Sequence, residues 1–183
     1  MTIETPRLTG RPLQPEDVVP LHRLYREPAA AAWLSAEGLP FDKDRTRMVL
    51  ARAVEHWRAH GFGVLAFRER AGGRFVGYCG VRRPIVDVPA DAELLYALRP
   101  AFWRRGLATE MARAVLADGA ARHGLADVIA FTLPHNAGSR GVMAALGLRY
   151  ERDIVHAGLP HVLYRLPPRV PWSAATTGSR RHG

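Results

Sequence analysis

Between Leu98 and Thr109 the chain reads LRPAFWRRGLAT, and this segment holds the densest chemistry in the sequence. A strand ends at Leu98, Pro100 breaks it, and Arg104–Arg105–Gly106–Leu107–Ala108–Thr109 opens a long helix. A helix start exposes several N–H groups without intrahelical partners and carries the positive end of the helix dipole. That combination binds phosphate. Gly106 and Ala108 keep side chains small where a pyrophosphate would approach the backbone. Arg104 and Arg105 can add charge-assisted contacts. An ordinary helix start with a glycine is the plainer reading of the same residues. The Gly-Lys-Ser/Thr ending of a P-loop is absent.

The elements that must position this segment follow from periodicity. Arg7 to Leu13 reads as a short strand, Glu16 to Arg26 as a helix, and Ala29 to Ser35 as a second short helix after Pro28. Asp42 or Asp44 caps a third helix that runs to about His60, with Met48, Ala51, Val54 and Trp57 on its inward stripe. Phe62–Glu69 and Arg74–Arg82 alternate around Gly72–Gly73, the pattern of a hairpin. Ala92–Leu98 is the next strand, and the helix from Gly106 to His123 turns Met111, Val115 and Leu116 inward. Val128–Leu133 is an apolar strand, Asn136–Leu146 a short helix, and Leu148–Val155 and His161–Leu166 are terminal strands. This order predicts an α/β (α+β) fold. Its central sheet is mixed, mostly antiparallel, of six to seven strands, and flanked by helices. A ligand cleft is expected where neighbouring strands diverge. Residues 1–166 form one domain, and the Pro-, Ser- and Thr-rich residues 167–183 read as a flexible tail.

Composition narrows the class. The 183 residues are 48% hydrophobic and 23% charged, the balance of a globular protein. No run long and apolar enough to span a bilayer occurs, so no membrane partner is expected. Met1 to Arg11 lacks the apolar stretch of a secretory signal. The single cysteine, Cys79, excludes an intrachain disulfide and a cysteine-cluster zinc site. The histidines His123, His156 and His161 show no metal-ligand spacing, so no metal is expected. A cytoplasmic setting follows as the default. The net charge of +9 would ordinarily suggest a polyanion partner. Yet Lys43 is the only lysine, and the arginines are scattered, with only Arg82–Arg83, Arg104–Arg105 and Arg180–Arg181 adjacent. Such a skew reads as compositional background, and a nucleic-acid partner is not expected.

Six blocks in register carry a resemblance. Thr5–Pro6–Arg7–Leu8 with Arg11–Pro12–Leu13 comes first, then His56–Trp57 with Gly61–Phe62–Gly63, then Phe75 to Gly80. Glu93–Leu94–Leu95–Tyr96, Trp103 to Glu110, and Asn136 to Ser139 with Gly147–Leu148 follow. Together they resemble the GNAT-fold acyl-CoA N-acetyltransferases, in the RimJ/RimL-type branch of ribosomal-protein N-terminal acetyltransferases. The resemblance covers about Thr5 to Leu166.

The resemblance implies that an amine attacks the thioester of acetyl-CoA directly in a ternary complex. The acceptor is a peptide N-terminus or a small-molecule amine, and a homodimer is left open. Acetyl-CoA is the cosubstrate. Its pyrophosphate is expected on Arg104, Arg105, Gly106, Leu107, Ala108 and Thr109, with Tyr96 on the adjoining strand. Glu93 is the candidate base, acting through water, and Asp91 on the same face competes for the role. A backbone N–H near Ala97 or Leu98 would meet the thioester oxygen as it becomes negative. Ser139 is the candidate proton donor to the leaving thiolate, although a serine at that helix position also caps. Asn136 would hold the pantetheine or cap the helix. Many family members place a tyrosine acid seven residues after the asparagine, where this chain has Met143. A different donor must serve there, or none. In the latter case the chain would be a non-catalytic acyl-CoA-binding or regulatory domain. Trp33 and Phe41 are candidate walls of the acceptor site, with packing as the plainer reading.

Overall fold

The computed structural model describes residues 1–167. Its elements are β1 (Ile3–Glu4), β2 (Leu8–Pro12), α1 (Val18–Arg26), α2 (Pro28–Leu34), α3 (Lys43–His60), β3 (Val64–Glu69), β4 (Phe75–Arg82), β5 (Ala92–Leu98), α4 (Leu107–His123), β6 (Val128–Thr132), α5 (Ala137–Ala145), β7 (Arg149–His156) and β8 (Leu159–Arg165). They build one eight-stranded sheet in the order β1-β2-β3-β4-β5-β6-β8-β7. Every neighbouring pair is antiparallel except β5 and β6. The expected mixed sheet is present, with one strand more than the periodicity suggests. The extra strand is Ile3–Glu4, whose two residues pair with Gly10 and Thr9 and are too few to show a period. The expected tail falls outside the described residues from 168 onward.

Helices cover both faces of the sheet. On one face, α4 and α5 enclose a core of Val76, Cys79, Leu94, Leu98, Met111, Val115 and Met143. On the other, α1 to α3 cover Leu24, Tyr25, Leu50, Ala66, Tyr78 and Ala97. Along β5 the two sets alternate, as a strand requires. Asp42 caps α3 by accepting from the Arg45 N–H at 2.7 Å, and Gly61 ends it in the left-handed conformation. The inward stripe of α3 differs from expectation. Met48 is 54% exposed, whereas Thr46 and Leu50 are buried. Thr46 can turn inward because its hydroxyl donates to the Asp42 carbonyl at 2.8 Å and meets His22 Nδ1 at 3.0 Å. A polar residue so satisfied buries cheaply, and the inward stripe runs through Thr46, Leu50, Val54 and Trp57, the last two as expected, with Met48 and Ala51 turned out.

Two glycines let β4 lie close to its neighbours. A Cβ at Gly77 would stand 2.1 Å from the Ala97 carbonyl oxygen, and one at Gly80 2.4 Å from that of Gly63. Many arginines serve the fold itself. Arg11 grips buried Asp17 through both terminal nitrogens, at 2.7 and 2.9 Å. Arg99 pairs with Glu27, and Arg165 with Asp127 and Glu151. No helix among the described residues is long and apolar enough to cross a membrane.

Candidate active site

The segment after β5 folds into an exposed cradle of backbone at the start of α4. A short 3-10 turn, Pro100–Phe102, leads to Trp103, whose indole N–H donates to the Leu98 carbonyl at 2.7 Å. Arg104 (φ 57°) and Gly106 (φ 72°) then take the left-handed conformation. Glycine adopts it freely, but an arginine there is uncommon. The first N–H of α4 to reach a carbonyl is that of Glu110, on Gly106 at 3.1 Å. The amides of Leu107, Ala108 and Thr109 therefore point out of the helix start. Residues 103–106 are exposed, so these amides are accessible. Arg105 lies over Phe102, 5.5 Å from the ring centroid, and Arg104 makes no ion pair among the described residues.

The cradle is fastened from the N-terminus, a role the sequence reading missed. The Glu110 carboxylate accepts from the Thr5 hydroxyl (2.6 Å), the Arg7 amide (3.0 Å) and Arg7 Nε (2.6 Å). Arg7 also donates to the Arg105 carbonyl at 2.9 Å. Burial alone would raise the Glu110 pKa, but the bonds from Thr5 and Arg7 outweigh it and hold the carboxyl below its usual range. Thr5, Arg7 and Glu110 all stand in the quoted motif blocks, and that was the available signal.

Beside the cradle the sheet opens. The parallel pairing of β5 with β6 is limited to Ala92 with Val128 and Glu93 with Ile129. Past Glu93 the strands part, while β5 stays paired with β4 to Leu98. The Ala92 amide donates to Asp127 on the β6 side, and the Arg99 amide to Val76 on the β4 side. Alternation between these fixed points turns the Tyr96 and Leu98 amides into the gap. The same alternation commits the Ala97 amide to the ladder with Tyr78. Of the two expected oxyanion donors, Leu98 turns its amide into the gap and Ala97 does not.

The α4/α5 face of the gap carries hydroxyls. The Tyr96 phenol donates to the Ser139 carbonyl at 3.0 Å and lies 2.9 Å from the Ser139 hydroxyl, so β5 and α5 meet across the opening. Burial raises the Tyr96 pKa strongly, and the bond to Ser139 only partly offsets it. Asn136 caps α5, its side-chain oxygen accepting the Ser139 amide at 3.0 Å. This is the capping contact weighed for Asn136, and it engages the side-chain oxygen alone. Met143 is 1% exposed and packs in the core, so it faces no ligand.

The expected bases are engaged. Glu93 is 2% exposed. Its Oε1 accepts from Arg82 Nη2 (2.6 Å) and Nε (3.1 Å), and its Oε2 from the Ile85 amide (3.1 Å). Asp91 accepts from the Ala126 and Asp127 amides, each at 2.9 Å. Among the described residues no buried side-chain nitrogen or oxygen lacks a partner, and no group of three or more His, Cys, Asp or Glu is placed to hold a metal ion. Cys79 is buried on the apolar strand, and burial pushes its thiol up. Phe41 is a core residue stacked on Tyr25 at 4.6 Å, whereas Trp33 is 38% exposed and faces His135 across 5.3 Å.

A family model described as an acetyltransferase (GNAT) domain matches residues 7–149. Among solved structures, a putative GNAT-family acetyltransferase from Bordetella pertussis superposes with a TM-score of 0.79 at 22% identity, covering 91% of this chain and 99% of that one. The ribosomal-protein-S5-alanine acetyltransferase of Vibrio fischeri gives 0.74 at 17%, over 95% and 100% of the two chains. Mycobacterium smegmatis RimJ, solved in complex with a CoA-disulfide, gives 0.73 at 18%, over 90% and 86%. At these identities the structural likeness establishes the fold.

Proposed function

The chain belongs to the GNAT acetyltransferase family, and on that premise we propose that it transfers the acetyl group of acetyl-CoA to an amine in a ternary complex. The observation that carries this reading is the continuity of the cradle at Gly106–Thr109 with the gap between β5 and β6. Coenzyme A demands a site for a pyrophosphate, a slot for an amide-bearing arm, and a donor for a thioester oxygen. The residues present fit each demand. The Leu107, Ala108 and Thr109 amides take the pyrophosphate, and Arg104 adds charge. Gly106 leaves the approach open, since a Cβ there would have only Arg7 Nη2 nearby, at 3.7 Å. The Tyr96 and Leu98 amides face the slot. When bound, acetyl-CoA supplies an activated acyl group.

The chain's own groups divide the remaining work. The Leu98 or Tyr96 amide stabilises negative charge on the acyl oxygen without reorganising. The Ser139 and Tyr96 hydroxyls supply the proton to the departing sulfur, in place of the family tyrosine. Glu93, with both oxygens occupied, is better suited to hold Arg82 and the loop at Ile85 than to take a proton. The acceptor is a peptide N-terminus or a small-molecule amine, and the reaction is set in the cytoplasm.

Calorimetry with acetyl-CoA, followed by thiol release against a panel of peptides and small amines, tests this. Expected are binding and thiol release with at least one amine. Absence of binding at millimolar acetyl-CoA would sink the proposal. Binding without transfer to any amine would favour a non-catalytic acyl-CoA-binding domain.

A further inference from the structure

The far face of the gap carries a group of rings that the mechanism has not used. Phe131 lies two residues past Ile129, the last β6 residue paired with β5, and so stands at the edge of the opening. His156 of β7 lies 5.1 Å from its ring centroid and His161 of β8 lies 5.4 Å away, with 5.6 Å between the two imidazoles. Three elements thus bring three rings together. All are half-buried. They share the face of Ile129, Ile154 and Leu163, opposite the Met143 core.

Access favours this face. The opposite one is closed by α4, α5 and the Tyr96–Ser139 bridge. Here the gap is bordered by the Trp33–His135 pair and the loop at Ile85, whose side chain is 51% exposed. An amine that reached an acyl group in the gap from this face would pass these rings.

The two imidazoles differ in bonding. His161 Nδ1 lies 3.0 Å from the Leu159 carbonyl, so in its neutral form that nitrogen is the donor. His156 makes no hydrogen bond among the described residues, so its lone pair is uncommitted. We propose that His156 is the base that deprotonates the acceptor ammonium, with Phe131 and His161 forming the seat in which that ammonium sits. The inference rests on the acetyltransferase reading above. An ammonium against the Phe131 face gains a cation–π contact, and the same position brings it to the imidazole lone pair.

Three charged or titratable groups act on His156 through space: His161 on β8, Glu93 on β5 and Arg82 on β4. Burial is the largest influence and lowers its pKa. His161 and Arg82 lower it further, and Glu93 opposes them. The net result is an imidazole below its ordinary value and neutral at pH 7, as a base must be. The protons balance. One passes from the ammonium to His156 and on to water. The nitrogen lone pair then forms the C–N bond as the C–S bond breaks. The second nitrogen proton leaves with the sulfur, delivered through the Ser139 and Tyr96 hydroxyls. One proton is released per turnover.

The test is an imidazole titration by NMR on the full chain without cosubstrate, together with the pH dependence of kcat/KM for the best amine of the panel. Expected in the wild type are a His156 pKa below the ordinary histidine value and an acid limb in the rate profile at the same pH. His156→Gln should lower kcat/KM by about 100-fold or more at pH 7 and abolish that limb, with acetyl-CoA affinity unchanged. His161→Gln should move the limb to higher pH, because the imidazole that opposes protonation of His156 is gone. A merely structural histidine would not produce that shift. A His156 pKa at or above the ordinary value overturns the proposal, whether or not the variants fold. So does His156→Gln with the limb intact and a rate within about 3-fold of wild type. Wild-type turnover separates the two readings: with it, the variants judge His156 alone, and without it both fall.

Discussion

The two faces of the gap use different materials. On the α4/α5 face the groups proposed to work are main-chain amides and two hydroxyls, Tyr96 and Ser139, bonded to each other at 2.9 Å. None changes charge near neutral pH, and burial pushes the Tyr96 phenol further from titration. On the opposite face the groups are side chains from β4 to β8: the Arg82–Glu93 pair, Phe131, His156 and His161. A nearly constant cosubstrate can be met by a rigid backbone. An acceptor that must lose a proton needs a group that titrates. The cosubstrate side should therefore be indifferent to pH, and the acceptor side should not.

The strongest blow to this contrast falls on Glu93. Glu93→Gln leaves the Arg82 guanidinium without its countercharge at a site where Glu93 is 2% exposed. Removing one partner of a buried pair is expensive, and we expect a loss of about 3 kcal/mol in urea unfolding. Turnover should fall only as far as the acceptor face loosens. Unchanged stability with lost turnover would restore Glu93 as the base implied by the family resemblance.

A second variant separates the faces by sign. Thr109→Asp places a carboxylate in the first turn of α4, where the helix dipole favours it by about 0.3–1 kcal/mol. The same charge faces the pyrophosphate. Acetyl-CoA affinity should drop about 100-fold, or about 2.7 kcal/mol, while thermal stability holds or rises. The acid limb of the rate profile should stay in place. Retained affinity would mean that the cradle does not receive the cosubstrate.

These two faces were not equally legible in the sequence. The cradle is local: Leu98 to Thr109 show a strand end, a proline and a glycine at a helix start, and the structure places them so. The inward positions Met111, Val115 and Leu116 follow from one helix period in the same way. The ring cluster is not local. Phe131, His156 and His161 meet only because β8 inserts between β6 and β7, and no short-range period reveals that crossover. The Arg82–Glu93 pair lies between these cases. The residues are register partners across β4 and β5, so counting along the hairpin could have found them. Met48 turns out and Thr46 in because the Thr46 hydroxyl finds two partners, which a count of apolar residues does not register.

The smallest expected effect falls where the two faces share a hinge. Asp91 sits at the closed end of the gap, just before the two residue pairs that join β5 to β6. Its carboxylate accepts the Asp127 and Ala126 amides at 2.9 Å, and its own amide donates to the Asp127 carbonyl at 2.8 Å. The Asp127 and Ala126 amides hold its pKa below the usual carboxylate value. Its ionised form therefore adds stability above the unfolded-chain pKa of about 4, and that contribution fades as pH falls through the lower folded value. Asp91→Asn keeps an acceptor oxygen but loses the charge that strengthens both bonds, at a cost of about 1 kcal/mol or less near pH 7. The difference from wild type should shrink toward zero on acidification, read by urea midpoints across a pH series. Because the clamp precedes both arms of the opening, acetyl-CoA affinity and the acceptor KM should weaken by the same factor, about 3-fold at most. Unequal weakening would locate the hinge elsewhere and make the two faces mechanically independent.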